Sequence, residues 1–206
     1  MKTLLIPAKT KFLVNHSKIL EISKKLPKNI AIAYSIQYKD VAFEIRKIIS
    51  KNHKITKLTQ VLGCSKPNFP KNTKAILLIS SGKFHAISLA FETKLPVYIL
   101  DNYNLRKISK KDIEVLEKRQ KASYVKFLNA EQVGILISTK PGQQNLKKAL
   151  EFKKKLKDKK SYLFISNDID TNEFENFGLS SWINTACPRL DMNALDIINI
   201  DKIKTF

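Results

Sequence analysis

Short apolar runs rich in β-branched residues alternate along this chain with amphipathic stretches, the rhythm of βα units laid around parallel sheets. Strands are expected at 3–6, 30–34, 55–58, 75–79, 97–100, 134–138, 162–165 and 181–184, and helices at 16–25, 40–51, 85–93, 111–129 and 143–157. Within 40–51, Val41, Ile45, Ile48 and Ile49 fall on one helical face, as a cover for a sheet requires. A polar stretch at 101–110, DNYNLRKISK, separates an apolar strand from a long helix and marks a seam. The expected class is therefore α/β, with two similar small domains, 1–103 and 104–206, each a mainly parallel β-sheet flanked by helices. A weak internal repeat points the same way: Ile76 to Ser81 resembles Ile135 to Thr139, although two ordinary βα turns would look alike.

With 43% hydrophobic residues and only five Gly and seven Pro among 206, the chain can bury one sizeable core or two small ones. No apolar run reaches the roughly 20 residues of a membrane span, and the opening MKTLLIPAKTKF is too short in apolar residues for a secretory signal. A cytoplasmic protein without membrane contact is expected. Two cysteines are too few for a disulfide scaffold. The net charge of +20 suggests a polyanion first, yet only Arg46, Arg106, Arg119 and Arg189 of the 38 basic residues carry the guanidinium that base and phosphate recognition favours. Solvated lysine-rich helix faces and electrostatic contact with RNA or a ribosomal factor both remain open.

Two loops could hold an anion. Ser80-Ser81-Gly82-Lys83-Phe84-His85 and Thr139-Lys140-Pro141-Gly142-Gln143 each follow an expected strand and open an expected helix, where unpaired N–H groups and the helix dipole favour a carboxylate. Neither has P-loop or dinucleotide spacing, and a plain tight turn reads equally well. His85 is either a ligand contact or a polar residue of the first turn. Cys64 and Cys187 each follow a strand, placing both at the carboxyl edges where open α/β sheets gather ligands. A thiolate beside Arg189 would be stabilised, while a small buried hydrophobe is the alternative. Arg189 itself could grip a carboxylate with two parallel bonds, or pair with Asp191. Two cysteines alone cannot complete an iron–sulfur cluster.

Taken together, Gln60-Val61-Leu62-Gly63-Cys64, Ser81-Gly82-Lys83-Phe84-His85 with Leu89-Ala90, Ser138-Thr139-Lys140-Pro141-Gly142-Gln143 and Ala186-Cys187-Pro188-Arg189 resemble, in order and spacing, the archaeal-type diphthamide synthases. These are unconventional radical S-adenosylmethionine enzymes. The resemblance implies three similar α/β domains, each giving one cysteine to a shared [4Fe-4S] cluster, of which this chain matches the second and third. Cys64 and Cys187 would then be metal ligands, and Ser81, Gly82, His85, Lys140, Gly142, Gln143 and Arg189 would line the S-adenosylmethionine site. The implied reaction moves a 3-amino-3-carboxypropyl group to a histidine of translation elongation factor two. No counterpart of the first domain precedes Met1, so the third cysteine is expected from another chain. A non-catalytic partner of a full-length homologue, or an RNA-binding derivative, are the other expectations.

Overall fold

A computed structural model describes residues 4, 6, 8–10, 12–62, 66–192 and 194–203. It divides the chain into two compact units, Met1–Ile113 and Glu114–Phe206. In the first, α1 (His16–Ser23), β1 (Asn29–Tyr34), α2 (Lys39–Ile49), β2 (Lys54–Gln60), β3 (Ala75–Ile79), α3 (Phe84–Thr93), β4 (Val97–Asp101) and β5 (Asn104–Lys107) follow one another. The sheet order is β2-β1-β3-β4-β5, parallel except for the β4–β5 pair. Central β1 and β3 are covered on both faces, which is why NIAIAY and AILLI are apolar without alternation. Ile30, Ile32, Leu77 and Ile79 pack with Ile19 of α1 and with Val41, Ile45, Ile48 and Ile49 of α2. Ala31, Ala33, Ile76 and Leu78 face the other way, onto Ala86, Leu89 and Ala90 of α3.

The hairpin between β4 and β5 turns on Asn102 and Tyr103, whose φ angles of 45° and 65° are both left-handed. Such a two-residue turn suits the strand twist, and Asn tolerates it, but a tyrosine there is strained. Tertiary contacts hold it: the Tyr103 hydroxyl donates to the Leu13 carbonyl and accepts from the Asn15 N–H at 2.8 Å, and its ring lies 4.9 Å from that of Phe12. The seam expected between 103 and 104 falls inside this hairpin, because Tyr98 to Asp101 pair with Asn104 to Lys107 and draw β5 into the first sheet. Ser109 then starts α4 (Lys110–Asn129) with a reciprocal cap. Its hydroxyl accepts from the Asp112 N–H at 3.1 Å, and the Asp112 carboxylate accepts from the Ser109 N–H at 3.2 Å.

The second unit contains β6 (Gln132–Ser138), α5 (Leu146–Lys155), β7 (Lys160–Ser166), β8 (Ser181–Asn184) and β9 (Ile197–Asn199), in the all-parallel order β7-β6-β8-β9. Its strand order repeats that of the first four strands of the other unit, with β6 in the place of β1 and β8 in that of β3. The likeness of 76–81 to 135–139 therefore joins strands of different rank, β3 and β6, and reflects two ordinary βα turns. One face packs Val133, Ile135, Ile137 and Ile183 against Phe127, Ala149 and Phe152. On the other, Leu136 and Trp182 meet Phe174 of a 3-10 segment, Thr171–Phe177. Trp182 stacks on Phe174 at 4.1 Å and crosses Phe164 at 4.7 Å. It also lies over Gly134, where a Cβ would sit 2.3 Å from the indole, so only glycine fits that strand position.

Eight strands were expected and nine occur among the described residues, but the sets differ. The expected strand at 3–6 falls partly outside the described residues, and its Leu4 and Ile6 are exposed and not in a strand. Strands β5 and β9 were not expected: β5 is a four-residue edge strand of mixed polarity, and β9 has only three residues. Among the described residues no helix is long and apolar enough to cross a membrane.

Candidate functional site

Parallel pairing levels the strand ends. In the first unit Tyr34 pairs with Gln60 on one side and Ile79 on the other, so β1, β2 and β3 finish along one edge. Past β2, the Val61 N–H donates to the Tyr34 carbonyl at 2.9 Å, and the chain continues toward Cys64, which lies outside the described residues with Gly63 and Ser65. Past β3, Ser81 and Gly82 form an exposed turn. Gly82 has φ of +80° with open space around it, so its backbone and not crowding asks for glycine. Helix α3 begins at Phe84, and His85 is half-buried with its ring edge-on to Phe84 at 5.2 Å. Lys83 reaches Asp112 at 3.7 Å. Hydrogen bonds from Ser109, followed by the Lys83 charge, hold the Asp112 carboxyl below its usual range.

In the second unit the loops leaving β6, β7 and β8 enclose a cleft of about 440 Å³, lined by Lys140, Gln143, Cys187 and Arg189 among others. These four residues belong to two motifs 44 positions apart at their nearest (187 − 143), and the register of β6 with β8 brings them together. Gly142, at φ +78°, shapes the same loop, whose Gln143 N–H donates to the Lys140 carbonyl at 3.0 Å. Helix α5 does not begin at Gln143 as expected but at Leu146. The preceding Asn145 does not cap it: its amide donates instead to the Thr185 carbonyl at 2.7 Å, tying this loop to the one that carries Cys187. The 139–143 loop is thus a cleft wall, set back from the helix end.

Sequence reasoning missed the third wall. Asn167, Asp168, Asp170 and Thr171 leave β7 and line the cleft because Ser166 lies beside Ser138 in the sheet. The signal available was their position just past an expected strand end. Asp168 is ion-paired with Lys140, and that bond, then the lysine charge, holds its carboxyl below the usual range. Buried Ser138 accepts from the Lys140 N–H at 3.1 Å and fixes the start of the loop. Carboxylates (Asp168, Asp170) and cations (Lys140, Arg189) share one cleft, a wall suited to a ligand carrying both signs of charge.

The Cys187 turn is braced from below. Asn184, 1% exposed at the end of β8, accepts through its side-chain oxygen from the Ala186 N–H at 2.8 Å and donates to the Cys187 backbone carbonyl at 2.8 Å and to the Asn199 side-chain oxygen at 2.6 Å. Asn199, at the end of β9, donates to the Pro188 carbonyl at 3.3 Å and to the Asp191 carboxylate. Burial pushes the Asp191 carboxyl up to about 6, against the opposing pull of Lys202 and Asn199. Cys187 is a half-buried free thiol on the cleft wall. That chemistry fits a thiolate ligand for iron. Among the described residues no three His, Cys, Asp or Glu side chains converge on a metal position, so Cys187 would be one donor among several drawn from elsewhere.

Residues 1–196 match the family model described as "Putative diphthamide synthesis protein". The chain is 32% identical over 136 residues to the 2-(3-amino-3-carboxypropyl)histidine synthase of Pyrococcus horikoshii, covering 65% of this chain and 40% of that protein. It is 28% identical over 203 residues to the enzyme of the same name from Methanocaldococcus jannaschii, covering 92% and 56%. Among solved structures it is similar to Dph2 from Pyrococcus horikoshii, with a TM-score of 0.77 at 24% identity over 89% of this chain and 60% of that one. The same protein with a 4Fe-4S cluster gives 0.76 at 23%, over 92% and 61%. These structural likenesses establish the fold. The chain spans 40% to 56% of the length of the synthases it matches.

Proposed function

Because this chain belongs to the diphthamide synthesis protein family, we propose that it is a subunit of a [4Fe-4S] synthase that transfers the 3-amino-3-carboxypropyl group of S-adenosylmethionine to a histidine of translation elongation factor two. A single observation carries the reading: Lys140, Gln143, Cys187 and Arg189, singled out as two separate motifs, line one cleft at the carboxyl edge of the second sheet. Cys187 and Cys64 would hold the cluster, and a separate chain carrying the family's first domain would supply the third thiolate. The cluster, when bound, supplies the electron that cleaves a carbon–sulfur bond of S-adenosylmethionine. This chain's residues do the rest by holding. Arg189 offers a planar fork for the substrate carboxylate, and the acidic wall of Asp168 and Asp170 suits its ammonium group. Fixing both ends of the amino-acid portion would orient the reacting carbon before the electron arrives.

Anaerobic iron and sulfide analysis tests this. The chain coexpressed with a candidate first-domain chain should bind about four irons per assembly, as a three-cysteine site requires. Cys187→Ser or Cys64→Ser should each abolish most of that iron. Full iron in both variants would overturn the ligand assignment. A cluster found only in a full-length homologue that copurifies with this chain would make it a non-catalytic partner instead.

A further inference from the structure

Asn184, Asn199 and Asp191 lie behind the cleft wall, and the binding reading above uses none of them. Their five bonds end on the N–H of residue 186, the carbonyls of 187 and 188, and one another. Three consecutive backbone positions around the thiol are therefore pinned by two amide side chains. Thr185 completes the series: its carbonyl accepts from Asn145 at 2.7 Å, and its hydroxyl donates to the Leu136 carbonyl at 2.7 Å.

The order of these contacts is not arbitrary. A carboxylate only accepts, so Asp191 obliges Asn199 to present its NH2 group, which turns the Asn199 oxygen toward Asn184. Asn184 must then present its own NH2 to Asn199 and to the Cys187 carbonyl, leaving its oxygen for the Ala186 N–H. One buried charge thus sets the polarity of two amides and of the turn above them. All four amide N–H groups and both amide oxygens of the pair are satisfied. A hydrophobic cluster of the same volume would pack as well without burying a carboxylate, and such groups are kept where a specific geometry matters.

We infer that Asp191, Asn199 and Asn184 are positioning residues, an amide relay that fixes the backbone of the Cys187-Pro188-Arg189 turn so that thiol and guanidinium face the cleft before any metal arrives. The relay rests on the reading of Cys187 as a ligand only for its purpose; its geometry can be tested on the metal-free full chain. In a Cys64→Ser background, alkylation by iodoacetamide reports Cys187 alone, because the chain has two cysteines. Asn184→Leu, which keeps the branched heavy-atom outline of asparagine without its hydrogen bonds, should raise the alkylation rate roughly tenfold by letting the turn open, while cooperative melting persists. Asp191→Leu, which offers Asn199 no acceptor, should raise the rate as well, whereas Asp191→Asn keeps one and should stay within about twofold of the parent.

An unchanged rate in a folded Asn184→Leu protein would overturn the relay, and an unchanged rate in a folded Asp191→Leu protein would remove Asp191 from it. Hydrogen exchange on the unsubstituted chain decides the matter even if Asn184→Leu fails to fold. The Ala186 amide should exchange at least roughly a hundredfold more slowly than open loop amides. Exchange at the loop rate would show that Asn184 does not hold it. Iron content of the coexpressed assembly decides separately whether Cys187 is a ligand, so either conclusion can fail while the other stands.

Discussion

Among the described residues, Asp191 is the one whose acidity departs furthest from its ordinary value. The residue is 6% exposed, and its carboxyl is raised to about 6, chiefly by desolvation, from an ordinary value of 3.8. The folded unit therefore binds a proton more readily than the unfolded chain between these two values. Stability falls as pH rises through that window, and the penalty is fully present above it, at no more than about 3 kcal/mol by linkage. Replacing Asp191 by Asn removes the charge and keeps an acceptor. We expect the variant to be more stable at pH 7 by about 1–3 kcal/mol, with the gain shrinking between pH 6 and pH 4. Urea unfolding followed by the fluorescence of Trp182, the one tryptophan and a fully buried one, reads the second unit directly. A gain that did not change with pH would mean that the carboxyl is not the source.

Among the elements, β6 and β8 constrain one another where Gly134 pairs with Trp182 and receives its ring. The indole fills the face packed by Phe174 and Leu190, and the absent Cβ makes room for it. Gly134→Ala should destabilise the second unit by about 1–3 kcal/mol, the usual range for overpacking, and shift the Trp182 emission. In a Trp182→Leu background the same glycine change should cost less, because the clash then has no second party. Simple additivity of the two changes would argue against direct contact. In the first unit the corresponding constraint is at a turn: Tyr103 adopts an unfavourable φ because its hydroxyl and ring hold residues 12–15.

For the whole molecule, each unit carries its own pair of buried clusters, one on each face of its sheet. Neither core includes Cys187, which is half-buried on a cleft wall. Stability should then come from the sheets and not from metal, unlike a zinc finger that is unfolded without its ion. A Cys64→Ser/Cys187→Ser chain is expected to keep its circular dichroism and a cooperative melt. Loss of either would assign the cysteines a structural role.

The α/β class and seven of the nine strands were legible in the sequence, because a strand covered on both faces must be apolar throughout and shows as an uninterrupted run. Lys140, Gln143, Cys187 and Arg189 were singled out from a glycine loop, a cysteine turn and the family resemblance, and the fold lines one cleft with all four. Strand β5 escaped because an edge strand with exposed side chains carries no hydrophobic signature, and β9 because three residues are too few to show one. The acidic wall after β7 and the Asp191-Asn199-Asn184 relay depended on strand pairing: 15 residues separate Asn184 from Asn199 along the chain, and 28 separate Ser138 from Ser166. Local patterning records which residues are buried, since burial acts on each side chain, but which polar groups meet is decided by register between strands, and only the folded sheet sets that.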